Sequence, residues 1–242
     1  MTGVILQPGY LPWIGFFDMM FQSDVFVIYD DVQYTKRDWR SRNRIKFNDK
    51  IHMLTVPVKT AGIHREDLKI NKALIDYSLD WQKNHIETIK HAYNKTEWFS
   101  KYSPELFEIL SKTPPLLIDL LMSIIAWANK VLGIERKIVF SSQLDVDENL
   151  KKSDRLIALC KKLNIDHYLT GNAAEDYISI EQFEKNNISV YFHNYQHPTY
   201  KQLGKEFISH LSIIDIIFNC GPESKSFFKK REFNKINANN IE

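Results

Sequence analysis

The sequence predicts an α/β protein with a mostly parallel, Rossmann-like sheet, covering helices and a helical insertion. Three observations predict it. Residues 1–30 read strand, turn, helix, strand, which is a β-α-β unit. Both strands of that unit, VIL and VFVIY, are near-continuous apolar runs, and such runs suit parallel strands buried on both faces. The strand-helix alternation returns from residue 137, as covering helices on a parallel sheet require.

The elements follow in order. Residues 3–6 form the first strand, 13–21 an apolar helix and 25–29 the second strand. The carboxyl ends of parallel strands share one rim, so Gln7, Tyr10, Asp30, Asp31 and Gln33 lie at the usual ligand position of open α/β sheets. Residues 36–50, KRDWRSRNRIKFNDK, hold seven Lys or Arg against two Asp and read as a basic loop. Residues 51–58 read as a strand ending near Pro57, and 67–71 as another short one. Leu79, Ile86, Ile89 and Tyr93 recur at helical spacing over 77–93, and 103–110 and 116–132 continue in that style. Ser103 and Pro104 have the form of an N-cap and first helical residue, and Gly133 that of a C-terminal cap. Strands follow at 137–141, 166–170 and 189–193, and helices at 154–163, 180–186 and 213–218, the last with Ser212 as N-cap and Asp215 as first-turn acid. The division is an α/β core of 1–73 and 135–228, a helical insertion or cap at 74–134, and a polar, disordered tail at 229–242.

Composition excludes little chemistry. With 32 basic and 30 acidic side chains the chain has no global field that would draw DNA or an anionic membrane, so an anion site must be local. Cys160 and Cys220 form neither a disulfide framework nor a thiolate metal motif, and a reducing compartment fits them. The opening residues lack a basic n-region, and the apolar stretch at 114–127 is too short for roughly 30 Å of hydrocarbon. A cytoplasmic protein without membrane or DNA partners is the expectation.

No Walker loop, dinucleotide-binding turn, nucleophile elbow or zincin helix is written in the chain. His193 and His197 have a four-residue spacing, but they flank a strand end and Pro198, so a loop role outweighs a metal role. The turn Gln7 to Trp13, QPGYLPW, joins a strand to a helix whose first N–H groups are unpaired; it is either a packed aromatic turn or an anion site with Gln7 and Tyr10 as orienting groups. Asp30 and Asp31 are acceptors at a strand end, and Arg37, Arg40, Arg42 and Arg44 suit oxyanions because a guanidinium binds them in two-point fashion. Trp39 among them offers a stacking face. His197, Tyr200 and Gln202 make a second polar and aromatic turn.

The phrases ILQPGYLPWIGFFDMM, SDVFVIYDDVQYTKRDWRSRNRIK, LTVPVK, YLTGNAAEDYI, HPTYKQ and LSIIDIIFNCG resemble the WbqC-like family over residues 4–221. That family is met among genes for O-antigen and related lipopolysaccharide or surface-glycan biosynthesis. The resemblance implies transfer of an acyl or aminoacyl group, of glycine type, to the amine of a nucleotide-linked 4-amino-4,6-dideoxy sugar. By motif it carries over Gln7, Tyr10 and Trp13 from the opening, Asp30, Asp31, Gln33, Tyr34, Lys36, Trp39, Arg42 and Asn43 from the second block, and His197, Tyr200 and Gln202 from the late one. Asp31 is then expected as proton acceptor, Lys36 and Gln7 as oxyanion donors, Arg37 and Arg42 as the diphosphate clamp, and no metal ligand is implied. The opening also resembles the first β-α unit of HUP-type adenylate-forming ligases, although Gln7-Pro8-Gly9-Tyr10 stands where those carry a histidine-rich turn. The activator is therefore open: ATP with Mg, or a pre-activated donor. Beside the transferase stand an ATP-dependent amide ligase with the same acceptor and a non-catalytic nucleotide-sugar-binding accessory protein.

Overall fold

A computed structural model describes residues 1–62, 64, 68–176, 178–233 and 235–236 of the chain. Strand β1 (Thr2–Leu6), helix α1 (Ile14–Gln22) and strand β2 (Val25–Ile28) form the opening β-α-β unit. A hairpin of β3 (Arg42–Phe47) and β4 (Lys50–Thr55) follows, then α2 (Trp81–Tyr93), α3 (Phe99–Ser111) and α4 (Leu117–Leu132). The alternation resumes with β5 (Lys137–Phe140), α5 (Lys152–Lys162), β6 (His167–Thr170), α6 (Ile180–Lys185) and β7 (Ser189–Phe192), and closes with α7 (Ile213–Cys220) and β8 (Lys235–Ile236).

The main sheet has the order β5-β2-β1-β6-β7-β8, with the first five strands parallel and β8 antiparallel at the edge. From β1 the chain builds outward through β2 to β5 on one side and, later, through β6 to β7 on the other. The order therefore reverses between β1 and β6, the topological switch point beside which open α/β sheets take ligands. The strands bury both faces, as their apolar runs predict. Val4, Phe26, Ile28 and Leu169 enter the larger core with α1, α4 and α7, whereas Ile5, Val25, Val27, Tyr168 and Val190 pack on α5 and α6. Helices α2 to α4 contribute Ile89, Leu106, Leu121 and Ile125 to that same larger core.

Three local expectations are corrected. Ser103 and Pro104 do not start α3, which begins four residues earlier at Phe99; Pro104 sits on the solvent face, where the loss of one N–H leaves only the exposed Ser100 carbonyl unpaired. The basic segment is not wholly loop: residues 42–47 are a strand, turned by Asn48 and Asp49 at φ 51° and 55°, the paired left-handed geometry that a two-residue hairpin turn demands. The stretch expected as a strand at 67–71 contributes only a single bridge, Lys69 to Gln33, before a 3-10 turn at Ile70–Lys72, and Asp67 lies outside the described residues. Gly133 does cap α4 in the left-handed conformation, at φ 65°.

Of the tail expected to be disordered, the described residues lie back on α1 and β7. Gln22 Nε2 donates to the Lys229 carbonyl at 2.8 Å, Lys230 Nζ donates to the Gln22 carbonyl at 2.9 Å, and Arg231 Nη2 pairs with Asp18 Oδ1 at 2.8 Å. Asp18 is fully buried and its other oxygen meets His193 Nε2 at 2.6 Å. Arg231→Ala is expected to lower stability by about 1 kcal/mol, the upper end for a partly exposed ion pair, with urea denaturation as the measurement. A change within error would mean that His193 alone satisfies Asp18.

His85 on α2 adds a pH term. The Thr55 N–H donates to its Nε2 at 3.2 Å and its Nδ1 meets the Tyr10 hydroxyl at 2.9 Å, so the ring is built in as a neutral imidazole. Burial pushes its pKa down to about 4. Below pH 6.5 the unfolded chain takes up a proton that the fold refuses, so stability falls as pH drops towards 4, by about 3 kcal/mol at the lower end. Thermal unfolding across that window, with His85→Gln flattening the slope, is the check.

Candidate functional site

The rim carboxylates are occupied by the scaffold. Asp30 Oδ1 accepts from the Ser142 N–H at 3.0 Å and lies 3.0 Å from Ser141 Oγ, whose one proton it shares with Asp31, and its Oδ2 accepts from Ser142 Oγ at 2.6 Å and Asn71 Nδ2 at 3.3 Å. Asp31 Oδ2 pairs with Arg155 Nη2 at 2.6 Å, its Oδ1 accepts from Ser141 Oγ at 2.5 Å, and both side chains of the ion pair are about 95% buried, with 5% and 4% exposed. Arg155 also donates to the carbonyls of Val146 and Asp147. These bonds tie the end of β2 to β5 and α5. Both carboxylates, expected as proton acceptor and ligand group, are thus engaged with partners inside the protein.

Other residues of the right chemical type also serve the fold. Tyr10 is fully buried; its N–H donates to the Trp39 carbonyl at 3.0 Å, and burial pushes its phenol far up. Asn43 Nδ2 donates to the carbonyls of Tyr10 and Leu11 at 3.2 and 2.8 Å, and the Tyr34 hydroxyl donates to Ser41 Oγ at 2.8 Å. Tyr200 and Gln202 donate to Asp215 Oδ2 at 2.7 and 2.8 Å, and Tyr93 to its Oδ1 at 2.9 Å. Asp215 is the first-turn acid of α7 behind the Ser212 cap, as expected, but it is buried: burial raises its pKa, and its three partners fasten α7 to α2 and to the 200–202 turn. The scaffold thus absorbs Tyr10, Tyr34, Asn43, Tyr200 and Gln202, since a buried polar group must find a partner and each found one inside the protein.

These bonds bring the opening turn, the basic segment and the late turn together at the start of α1. Leu11, held between Tyr10 and Pro12 at φ 46°, is a strained position for a branched side chain, and the Pro12 carbonyl accepts from the Ile213 N–H at 2.8 Å. The strain turns the chain so that Trp13, the N-cap of α1, lays its indole back over Gly15, where a Cβ would overlap the ring. The indole stacks on His210 with centroids 5.1 Å apart and meets Tyr195 edge-on at 5.2 Å; His197 lies 4.8 Å from His210. Arg44 Nε donates to the His210 carbonyl at 2.8 Å, and its guanidinium lies over the Trp39 ring at 5.7 Å. The result is a half-open shelf of two indoles and two imidazoles with an arginine between them.

Electrostatics keep the imidazoles neutral. Burial, with His210 and Arg44 nearby, lowers the His197 pKa, and burial and Arg44 lower that of His210. Neutral His197 donates from Nδ1 to the Pro198 carbonyl at 2.8 Å, which leaves the lone pair on Nε2. Trp39 is exposed at the edge of the shelf, and Lys36, Arg37 and Gln33 are exposed in the preceding segment, with Arg37 at φ 57°. Arg42 Nε and Gln7 Oε1 are buried without a hydrogen-bond partner among the described residues. His210 carries no motif signal; it reaches His197 only because the intervening turn ends in a left-handed residue, His210 itself at φ 57°.

Among the described residues no group of three or more His, Cys, Asp or Glu could hold a metal ion, and no helix is long and apolar enough to cross a membrane. Both cysteines are buried thiols, with pKa values pushed by burial to about 12 for Cys160 and about 11 for Cys220, so neither is an activated nucleophile.

Residues 7–227 match the model of the WbqC-like protein family. An uncharacterized protein of Mycobacterium tuberculosis is 34% identical over 227 residues, which covers 93% of this chain and 96% of that relative. No solved structure matches.

Proposed function

We propose, from the premise that the chain belongs to the WbqC-like protein family, that it is an N-acyl or aminoacyl transferase. The acceptor is the amine of a nucleotide-linked 4-amino-4,6-dideoxy sugar used in surface-glycan biosynthesis. The observation that supports this reading is the shelf: two indole faces, the Arg44 guanidinium between them and a neutral imidazole with its lone pair directed by a backbone carbonyl. Trp13 and Trp39 offer faces for the flat base or sugar, and Arg37, Arg42 and Arg44 offer guanidinium forks for the diphosphate. His197 Nε2 takes the place first expected of Asp31. The amine nitrogen bonds to the activated carbonyl carbon, the carrier leaves with the electron pair of its bond, and the amine's surplus proton passes to Nε2. Gln7 and the exposed Lys36 are the donors for the transient oxyanion, at about 3 kcal/mol per donor.

The test is mass spectrometry of a mixture of the protein, a dTDP-linked 4-amino-4,6-dideoxyhexose, ATP and glycine, with each component omitted in turn. With glycine supplied on a pre-activated donor in place of ATP and free glycine, a product heavier by one glycyl unit is expected; the same product from ATP and free glycine would favour a ligase, and no product with either, despite binding of the nucleotide sugar, would leave an accessory protein.

A second reading, an ATP-dependent amide ligase, is favoured by one observation. Gly171, just past the carboxyl end of β6, faces open space, since a Cβ there would meet nothing within 4 Å, and a nucleotide bound beside it would lie at the switch point. Amino-acid-dependent exchange of pyrophosphate into ATP separates the ligase from a transferase that takes a pre-activated donor.

A further inference from the structure

Eight large hydrophobic side chains are exposed among the described residues, and five of them cluster: Trp39, Ile51, Met53, Leu203 and Phe207, each between 38 and 52% exposed. The hairpin register explains how. In the antiparallel pair, Arg44 faces Met53 and Lys46 faces Ile51 across the ladder, so these cations and apolar groups share one face. Arg44 then carries Trp39 on its guanidinium. Lys46 Nζ reaches the Glu206 carbonyl and Asp49 Oδ1 accepts from the Lys205 N–H at 3.0 Å, which fixes the 203–207 loop against the hairpin turn.

The charge is equally one-sided. Residues 36–50 and 197–210 hold nine Lys and Arg against three Asp and Glu, a local net charge of +6, whereas the whole chain carries +2. Residues 48–53 and 203–207 are two uninterrupted exposed runs, so the apolar groups stand on projecting segments with cations around them. A projecting apolar tip with a cationic skirt fits the headgroup layer of an anionic bilayer, where aliphatic and aromatic groups enter the acyl boundary and lysines pair with lipid phosphates. Nucleic acid would leave Ile51, Met53 and Leu203 without partners. A patch that is apolar at its tip and cationic at its margin also exceeds what scattered exposed residues require.

We infer that the face formed by the β3–β4 hairpin tip and the 203–207 loop docks on an anionic membrane surface. Composition conceals this, because the remainder of the chain is acidic and cancels the patch. Phe207 packs on His197 at 5.9 Å, so the docking face runs up to the candidate site. The inference is independent of the reaction proposed above, because binding is read without turnover.

The experiment is co-sedimentation of the full chain with vesicles of phosphatidylglycerol and phosphatidylcholine in equal parts, against phosphatidylcholine alone, with the tryptophan emission that Trp39→Phe removes as a second readout. Binding to the anionic vesicles alone is expected, with a blue shift and loss at high salt. Ile51→Ser with Met53→Ser should lower the partition by more than about tenfold, and Lys50→Ala or Lys205→Ala by roughly fivefold each. Leu79→Ser, an exposed site outside the patch, should change nothing, and thermal midpoints of all variants show that they fold. Equal sedimentation with neutral and anionic vesicles, undiminished binding by the folded Ile51/Met53 variant, or self-association that this variant abolishes in the absence of lipid would each overturn the inference.

Discussion

Asp31→Ala is expected to cost about 3–5 kcal/mol of stability in urea denaturation, because it strands the buried Arg155 guanidinium. Arg155 keeps the carbonyls of Val146 and Asp147, but two neutral acceptors do not replace a carboxylate in a site closed to water. The penalty belongs to the unpaired charge rather than to the worth of the pair. Asp31→Leu combined with Arg155→Met should therefore recover most of the loss, since an apolar pair of similar volume often equals or exceeds a buried ion pair. Asp31→Asn discriminates the two roles. If Asp31 only joins β2 to α5, the variant loses stability, and the turnover of the molecules that stay folded changes little. A variant of unchanged stability and abolished turnover would return Asp31 to the chemistry.

This reassignment shows where the sequence was legible and where it was not. The parallel core could be read because Val25, Phe26, Val27 and Ile28 form a run that only a strand buried on both faces explains. Strand β3 could not, because Arg42 and Arg44 stand on its half-exposed positions and even its buried ones include Asn43 and Lys46, residue types that read as a charged loop. Pro104 misled for a related reason: proline is costly inside a helix only where the freed carbonyl is buried, and sequence does not reveal that face. At the site, the motif blocks do meet. Within them, Tyr10, Tyr34, Asn43 and the two aspartates have the chemistry of ligand residues but spend it on internal partners, and no spacing rule separates a donor that faces inward from one that faces a substrate. Trp13 and His197 stay on the shelf. His210 joins them through a backbone conformation that residue identity does not announce.

His197→Asn is the substitution with the largest expected effect on turnover, a loss of about 10²- to 10⁴-fold in kcat with the affinity for nucleotide sugar held within a few-fold. The reasoning starts from the tautomer. The Pro198 carbonyl takes the Nδ1 proton, so the basic nitrogen of the neutral ring is Nε2, and burial keeps the ring neutral at pH 7. An acceptor must be unprotonated to work, so kcat should fall on the acid side with a limb below pH 6.5. Burial is the first cause of the lowered pKa, and the permanent charge of Arg44 adds to it in the same direction, as does His210 once it takes up a proton. Arg44→Met removes one of those charges, makes protonation of His197 easier, and should move the limb to higher pH while the plateau kcat survives. Loss of diphosphate contacts in the same variant would raise KM without moving the limb, so the two consequences of one substitution are read on separate axes. An unchanged kcat in His197→Asn would transfer proton acceptance to another group; a normal loss with a limb indifferent to Arg44 would leave His197 in its role and restrict Arg44 to binding.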